Sequence, residues 1–206
     1  MNVPSKAFGE FVEHTYDTPR IPAAELAALL DSDDPPVVLD SRPVREYQRM
    51  SIPTGVDCPG AELVHRVRTA APDPDALVVV NCAGRTRSII GAQSLINAGV
   101  PNRVVALENG TMGWELAGLT AARGATDFAP EPDASSRAWS ASAAGSVAER
   151  FGVETIDSAT MTEWLADDAR TTYLFDVRTP GEFEACLLYT SPSPRDATLS
   201  RMPSSA

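Results

Sequence analysis

One short segment constrains the fold of this chain more than any other. Residues 76–81, ALVVVN, form a continuous apolar run without the polar alternation of a half-exposed strand. Such a run is typical of a parallel strand that is covered on both faces. The glycine-containing segment NCAGRTRS follows at 81–88, and a helical pattern begins within it. A buried strand, a tight loop and a helix in this order predict an α/β fold.

The first 120 residues alternate between helix and strand patterns throughout. A turn-rich segment with a brief strand stands at 52–60, and a turn with a short helix at 109–119. This alternation predicts an open, twisted, mainly parallel sheet flanked by helices. The helical patterns lie at 21–34, 43–50, 61–70 and 87–99, and the strand patterns at 37–40, 76–81 and 103–107.

Composition and charge exclude several classes of function. The chain has 206 residues and a net charge of -11, which argues against nucleic acid or an anionic membrane surface as the main partner. It contains no apolar run near the roughly 20 residues that span a bilayer, and no secretory signal pattern at its start. Three scattered cysteines without a CxxC pair predict neither a disulfide framework nor a structural zinc site. We therefore expect a cytoplasmic protein without a bound metal.

The segment that follows the apolar run has the composition of an anion-binding loop. Successive backbone N–H groups in a tight loop form a nest, and the dipole of the following helix adds partial positive charge. Gly84 permits the sharp curvature, and Arg85 and Arg87 add two permanent positive charges. A cysteine at the head of such a loop is expected to be a thiolate near neutral pH. Cys82 is therefore the predicted nucleophile.

Other candidate residues have simpler interpretations. A cysteine at a strand end can be a small apolar core residue, which is the alternative interpretation of Cys82. The same interpretation is favoured for Cys58, which has no basic neighbours nearby in the sequence. His65 is expected to be a surface or packing histidine, and Trp114 is expected to pack against the last turn of its segment.

The stretch 37–119 resembles the rhodanese domain, the sulfurtransferase module. LDSR followed by Glu46-Tyr47 resembles the first strand and the following helix of that domain, and SIPTGVDCPG resembles its turn segment. The run from Cys82 to Arg87 matches the active-site loop. LENGTMGWELAGL resembles the closing signature.

The resemblance implies a sulfur-transfer reaction. Cys82 would attack a sulfane donor, carry the sulfur as a persulfide and pass it to a thiophilic acceptor. Arg87 would close the loop, and Arg85 would attract a small anionic donor such as thiosulfate. The implied acceptor is cyanide, a thiol or a thioredoxin-like protein, and neither a metal nor an organic cofactor is implied. The residues predicted to bind substrate and persulfide are Ala83, Gly84, Arg85, Thr86, Arg87 and Ser88.

Two alternative functions share this loop. Phosphatases and arsenate reductases related to the module have one more residue between cysteine and arginine, which widens the cradle for a tetrahedral oxyanion. Four residues separate Cys82 from Arg87 here, and Asn81 stands where a histidine usually precedes the phosphatase cysteine. The shorter loop favours sulfur transfer. The other alternative is a rhodanese-like binding or regulatory module without catalysis, although inactive copies typically lack the cysteine that this chain has.

A partial internal repeat follows a segment rich in Ala, Ser and Pro. VVLDSRPVREYQR at 37–49 aligns without gaps with YLFDVRTPGEFEA at 173–185. Four apolar residues of the first helical pattern also recur 135 positions later. The predicted organisation is an N-terminal extension or linker at 1–20, a complete rhodanese-like domain at 21–120, a linker and helix start at 121–150, a truncated second rhodanese-like domain at 151–185 and a non-native tail at 186–206.

The last segment, residues 186–206, breaks with the composition of the rest. Its first eleven residues, CLLYTSPSPRD, permit a back-translation that looks like a transposase-type sequencing adapter. SRMPSSA, at 200–206, permits the far end of the same adapter. We predict that the residues after Ala185 do not belong to the natural sequence and that this tail is translated adapter.

Overall fold

A computed structural model describes residues 4–176 and 183–184 of the chain. The chain divides into two units, Met1–Val153 and Glu154–Ala206. The tail predicted to derive from an adapter lies outside the described residues, and its origin stays a prediction.

The described part of the first unit is built on a parallel sheet. Its strands are ordered β1-β5-β4-β2-β3, and each neighbouring pair is parallel. This architecture confirms the predicted fold class. The strands are β1 (Arg20–Ile21), β2 (Val37–Asp40), β3 (Val56–Asp57), β4 (Val78–Asn81) and β5 (Val104–Leu107), and the helices are α1 (Pro4–Tyr16), α2 (Ala23–Leu30), α3 (Val44–Arg49), α4 (Leu63–Ala70), α5 (Thr86–Ala98), α6 (Gly110–Leu116) and α7 (Ala134–Phe151).

Strand β4 is covered on both faces, which explains its unbroken apolar run. Val78 and Val80 belong to the apolar cluster that contains residues of α4 and α5. Val79 points to the opposite face, in the cluster with residues of α2 and α6. Every residue of β4 is buried. Burial of each such side chain stabilises the fold by roughly 1.5–3 kcal/mol, so β4 is fixed firmly at the centre of the sheet.

A buried polar network holds the carboxyl ends of β2 and β4 together. The Arg42 guanidinium donates from Nε and Nη2 to the two carboxylate oxygens of Asp40, at 2.8 and 2.7 Å. Asn81 Nδ2 donates to Asp40 Oδ2 at 2.8 Å, and the Ser41 hydroxyl donates to the Asn81 carbonyl at 2.8 Å. Because these groups are buried and bonded to one another, the end of β4 has a defined position.

The beginning of α6 packs closely behind the segment that follows β4. Thr111 N–H donates to the Cys82 carbonyl at 2.9 Å, and Met112 N–H donates to the Ala83 carbonyl at 3.1 Å. Gly110 has a φ of 52°, and a Cβ atom built there would lie 2.2 Å from the Cys82 carbonyl oxygen. Both the left-handed backbone and the close approach require glycine at this position.

Two segments that the sequence suggested as an extension and a linker contain regular structure. Residues 4–16 form α1, and Val12 of this helix belongs to the apolar core. Residues 134–151 form the 18-residue helix α7, which packs against α4 and α5. The Asp133 side chain caps α7 by accepting from Ser136 N–H at 2.7 Å. Alanine favours helix and aspartate favours the N-cap, so composition typical of a linker also suits a capped helix.

The second unit contains helix α8, Ser158–Ala166. Its first residue lies 135 positions after the first residue of α2, as the internal repeat predicts. Residues 173–176, which the repeat aligns with β2, belong to no strand. A parallel strand is stabilised by neighbouring strands, and the described residues of this unit contain none. The truncated second copy is not confirmed and stays a prediction, as do the domain boundaries.

The packing of Gly110 predicts a large difference between two glycine substitutions. Gly118 also has a positive φ, of 79°, but a Cβ atom there meets nothing within 4 Å. Gly118→Ala is therefore expected to lower the free energy of unfolding by about 1–2 kcal/mol, from backbone strain alone. Gly110→Ala adds a steric clash and is expected to cost about 1–3 kcal/mol more. Urea denaturation of both variants measures the difference, and equal losses would contradict the close packing behind Cys82.

The buried Asp57 carboxyl is expected to make the stability of the folded protein depend on pH. It is 4% exposed, and its Oδ1 has no hydrogen-bond partner among the described residues. Burial, and then the nearby charge of Asp40, raises the pKa of Asp57 to about 6, with Arg42 opposing. Because the folded state holds this proton more tightly than the unfolded chain, whose pKa is about 4, this stabilisation is present below pH 4 and is lost as the pH rises through 6.

We expect Asp57→Asn to gain stability relative to the parent protein as the pH rises from 4 to 7, since the neutral amide does not titrate. Thermal melts at several pH values measure this trend. Asp33→Asn, at an exposed position, serves as the control and should follow the parent protein. A constant difference between Asp57→Asn and the parent protein across this range would show that Asp57 does not titrate there.

Candidate active site

The residues that the sequence predicts as a site form one continuous loop and helix start. Cys82 follows the last residue of β4, residues 82–85 form the loop, and α5 begins at Thr86. The cysteine is 2% exposed, so its sulfur lies at the buried end of the loop. Gly84 borders open space, because a Cβ atom there would meet nothing within 4 Å. The loop therefore surrounds a buried thiol and has its middle open to approach.

Ser88 links the thiol to the loop backbone. Its hydroxyl lies 3.6 Å from Cys82 Sγ and donates to the Arg85 carbonyl at 2.8 Å. The Ser88 side chain is fully buried. A hydroxyl can rotate, so the same group can donate to a negatively charged sulfur in place of the Arg85 carbonyl. In this structure the Cys82 thiol donates to the Ser88 hydroxyl oxygen, and this contact positions the sulfur.

The N–H and carbonyl groups of the loop backbone differ in their hydrogen bonding. In the part of the chain that the structure describes, the N–H groups from Ala83 to Ser88 donate to no protein acceptor. The carbonyls of Cys82 and Ala83, by contrast, accept hydrogen bonds from α6. Unshared N–H groups at the start of a 13-residue helix carry partial positive charge. The loop can therefore hold a negatively charged group beside Cys82.

Both arginines of the loop are paired with carboxylates. Arg87 donates from its two terminal nitrogens to the Glu46 carboxylate of α3, at 3.0 and 2.7 Å. This hydrogen bonding, against partial burial, holds the pKa of Glu46 below its ordinary value. Arg85 binds Glu10 at 3.4 Å and also binds Glu13, both on α1. The predicted roles of Arg85 and Arg87 towards substrate stay predictions, and each guanidinium already has an anionic partner in this structure.

Helix α1 contributes to the site, a contribution that the sequence did not predict. A Cβ atom at Gly9 would lie 3.0 Å from Thr86 Cγ2, so α1 contacts the first residue of α5 directly. Glu10 and Glu13 lie three positions apart and therefore share a helix face, which brings both to Arg85. The three-residue spacing of these glutamates could have indicated an acidic helix face. The residues near them in the sequence do not, however, indicate which part of the chain that face contacts.

The remaining candidates are structural. Cys58 is fully buried, and burial raises the pKa of its thiol to about 12. It is therefore a core thiol that stays protonated near neutral pH. His65 Nδ1 lies 3.2 Å from the Ser140 hydroxyl of α7, and Trp114 Nε1 donates to the Thr120 carbonyl at 3.1 Å. The burial of Cys58 and Trp114 confirms that they are packing residues, and the role of His65 stays a prediction.

Two further properties bear on the kind of site. Among the described residues there is no group of three or more His, Cys, Asp or Glu side chains that could hold a metal ion. Within the same residues, no helix combines the length and apolar character that a membrane span requires.

Comparison with known proteins gives a strong structural match. A thiosulfate sulfurtransferase from Pseudomonas aeruginosa is 55% identical, with a TM-score of 0.84 over 90% of this chain. The alignment covers 35% of that protein, so the chain spans about a third of the length of this relative. No curated protein sequence gave a significant match.

Other solved structures are more distant. A protein of unknown function from Rhodopseudomonas palustris, described as a possible tyrosine phosphatase, is 25% identical with a TM-score of 0.48, over 59% of this chain and 96% of that one. The 3-mercaptopyruvate sulfotransferase SseA from Escherichia coli is 20% identical with a TM-score of 0.45, over 56% and 54%. The family model described as the rhodanese-like domain matches residues 22–117. The chain therefore contains a rhodanese-like domain over these residues.

Proposed function

We propose that this chain is a sulfurtransferase that moves sulfane sulfur from a small anionic donor, such as thiosulfate, to a thiophilic acceptor through a persulfide on Cys82. The observation that carries the proposal is the open row of N–H groups from Ala83 to Ser88 around a single buried thiol. The thiosulfate sulfurtransferase from Pseudomonas aeruginosa, at 55% identity, supports the same reaction class.

In the first half-reaction, the Cys82 thiolate attacks the outer sulfur of thiosulfate. A sulfur–sulfur bond forms at Cys82 Sγ while the bond between the outer sulfur and the sulfonate sulfur breaks. The electron pair of that bond leaves with sulfite. Cys82 then carries one extra sulfur atom as a persulfide anion, and no external oxidant or reductant is needed.

The loop stabilises the charge that this step moves. Negative charge passes from the thiolate sulfur to the terminal persulfide sulfur, which is one atom further from the Cys82 backbone. The unshared N–H groups from Ala83 to Ser88 and the positive end of the α5 dipole are the groups available to stabilise that charge. Because these groups are fixed before the donor arrives, little reorganisation opposes the transfer.

In the second half-reaction, an acceptor attacks the terminal sulfur and regenerates the Cys82 thiolate. The proposed acceptors are cyanide, a small thiol or the thiol of a thioredoxin-like protein. The chemistry requires neither a metal nor an organic cofactor. We also propose a cytoplasmic location, because reduced cysteines such as Cys58 and Cys82 suit a reducing compartment.

The loop length distinguishes this proposal from phosphoryl or arsenate chemistry. Only four residues separate Cys82 from Arg87, which leaves less room than a tetrahedral oxyanion cradle needs. Asn81 is used for structure, because its side chain donates to Asp40. These features favour sulfur over phosphate as the transferred group.

Mass spectrometry of thiosulfate-treated protein tests the proposal. We expect an adduct of about 32 Da on the Cys82 peptide, lost on treatment with cyanide, with thiocyanate as the product. Cys82→Ser should abolish the adduct and the thiocyanate, whereas the control Cys58→Ala, which leaves the loop intact, should retain both.

A folded parent protein without the Cys82 adduct would contradict the proposal and favour a non-catalytic binding module. Release of phosphate from a phosphate ester without any thiocyanate formation would favour the phosphatase alternative instead.

A further inference from the structure

Helix α1 packs beside the Cys82 loop. Gly9 is buried against Thr86, and the absence of a side chain at Gly9 allows this contact. Val12, three residues later, is buried in the apolar core with residues of α5. The helix is thus anchored by packing at Gly9 and Val12, which directly precede Glu10 and Glu13 in the chain.

Glu13 is the more firmly held of the two carboxylates. Its side chain is 11% exposed and accepts from Arg20 Nη1 at 3.0 Å as well as from Arg85. Arg20 is itself held by Glu108 at 2.8 Å. Although burial opposes it, hydrogen bonding and charge from Arg85, and then from Arg20, keep the pKa of Glu13 below its ordinary value. Glu13 therefore stays ionised at neutral pH.

Glu10 adds a second negative charge at the same guanidinium. Its carboxylate lies 3.4 Å from Arg85 Nη1, and its side chain is 45% exposed. A cleft beside the loop is lined by Lys6 and Glu10 of α1, by Gly84 and Arg85, and by Met112 of α6. A donor that approaches the open middle of the loop through this cleft passes the Glu10 carboxylate and Arg85, and Arg85 is also paired with Glu13.

These contacts change how strongly Arg85 can attract an anionic donor. A free guanidinium attracts every anion, and attracts a dianion about twice as strongly as a monoanion. With two carboxylates attached, the local charge is no longer positive, and repulsion from Glu10 and Glu13 also grows with the charge of the donor. The Glu13 carboxylate is restrained by Arg20 and cannot simply move away when the donor arrives.

We propose that Glu13, assisted by Glu10, is a specificity-determining residue of this site: it occupies Arg85 and makes the Cys82 loop discriminate against doubly charged sulfur donors relative to singly charged ones. This inference rests on the proposed sulfurtransferase function and concerns the charge of its donor. Glu13 acts on specificity through Arg85 and does not itself contact Cys82.

Two donors of different charge test the inference with one acceptor, cyanide. Thiosulfate is a dianion that releases sulfite, and an aryl thiosulfonate is a monoanion that releases the aryl sulfinate. Both leave the same persulfide on Cys82. The measured quantity is the ratio of kcat/KM for thiosulfate to kcat/KM for the thiosulfonate, at low ionic strength.

Glu13→Gln removes the charge while keeping the shape and a hydrogen-bond acceptor. We expect the ratio to rise roughly fivefold, mainly through a lower KM for thiosulfate, as removal of one competing ion pair of about 1 kcal/mol implies. Glu10→Gln, at an exposed position, should raise the ratio less and keeps the test valid if Glu13→Gln folds poorly. The matched control is Glu131→Gln, which removes the same charge from an 82% exposed carboxylate paired with Arg66.

The possible outcomes distinguish failure of the specificity role of Glu13 from failure of the proposed sulfurtransferase function. A rise in the ratio in Glu13→Gln and Glu10→Gln but not in Glu131→Gln supports the inference. An unchanged ratio, an equal loss with both donors, or an equal rise in Glu131→Gln overturns it while the sulfurtransferase function stands. Absence of turnover with both donors in the parent protein overturns the proposed function and the inference with it.

Discussion

The site depends on one asymmetry in the hydrogen bonding of the loop between β4 and α5. The carbonyls of Cys82 and Ala83 accept from N–H groups of α6, and the carbonyl of Arg85 accepts from the Ser88 hydroxyl. The N–H groups of the same loop have no acceptor among the described residues. The carbonyls of Cys82, Ala83 and Arg85 are thus satisfied within the protein, while the N–H groups of the loop remain available to an anion. That polarity gives a thiol at its head an environment suited to negative charge.

This asymmetry is produced by parts of the chain that are distant in sequence. Gly110 brings α6 against the loop from a position 28 residues after Cys82. The buried pair of Asp40 and Arg42 fixes the end of β4 through Asn81. The apolar residues of β4 then anchor the strand between two helical layers. These contacts restrain the loop and the strand that precedes it. The position of the thiol therefore depends on the whole sheet and not on the loop alone.

The sequence was informative where the determinants are local. The apolar run of β4 predicted a strand covered on both faces, and glycine, arginine and cysteine spacing predicted one loop from Cys82 to Ser88. Neither the approach of Gly110 to Cys82 nor the pairing of Arg85 with Glu13 could be predicted, because such contacts join residues far apart in sequence. Arg85 and Glu13, for example, are separated by 72 positions. The sequence pattern therefore predicts the charged residues of the loop but not the residues with which they pair.

In the proposed reaction, hydrogen-bond donors, more than free cations, stabilise the transferred sulfur. The most direct test of this account is the stoichiometry of sulfite released when thiosulfate is mixed with the protein in the absence of an acceptor. The account predicts about one sulfite per chain in a single burst, since one thiol lies in the loop and each persulfide blocks a second transfer. No burst from the folded protein, or an equal burst from Cys82→Ser, would contradict it.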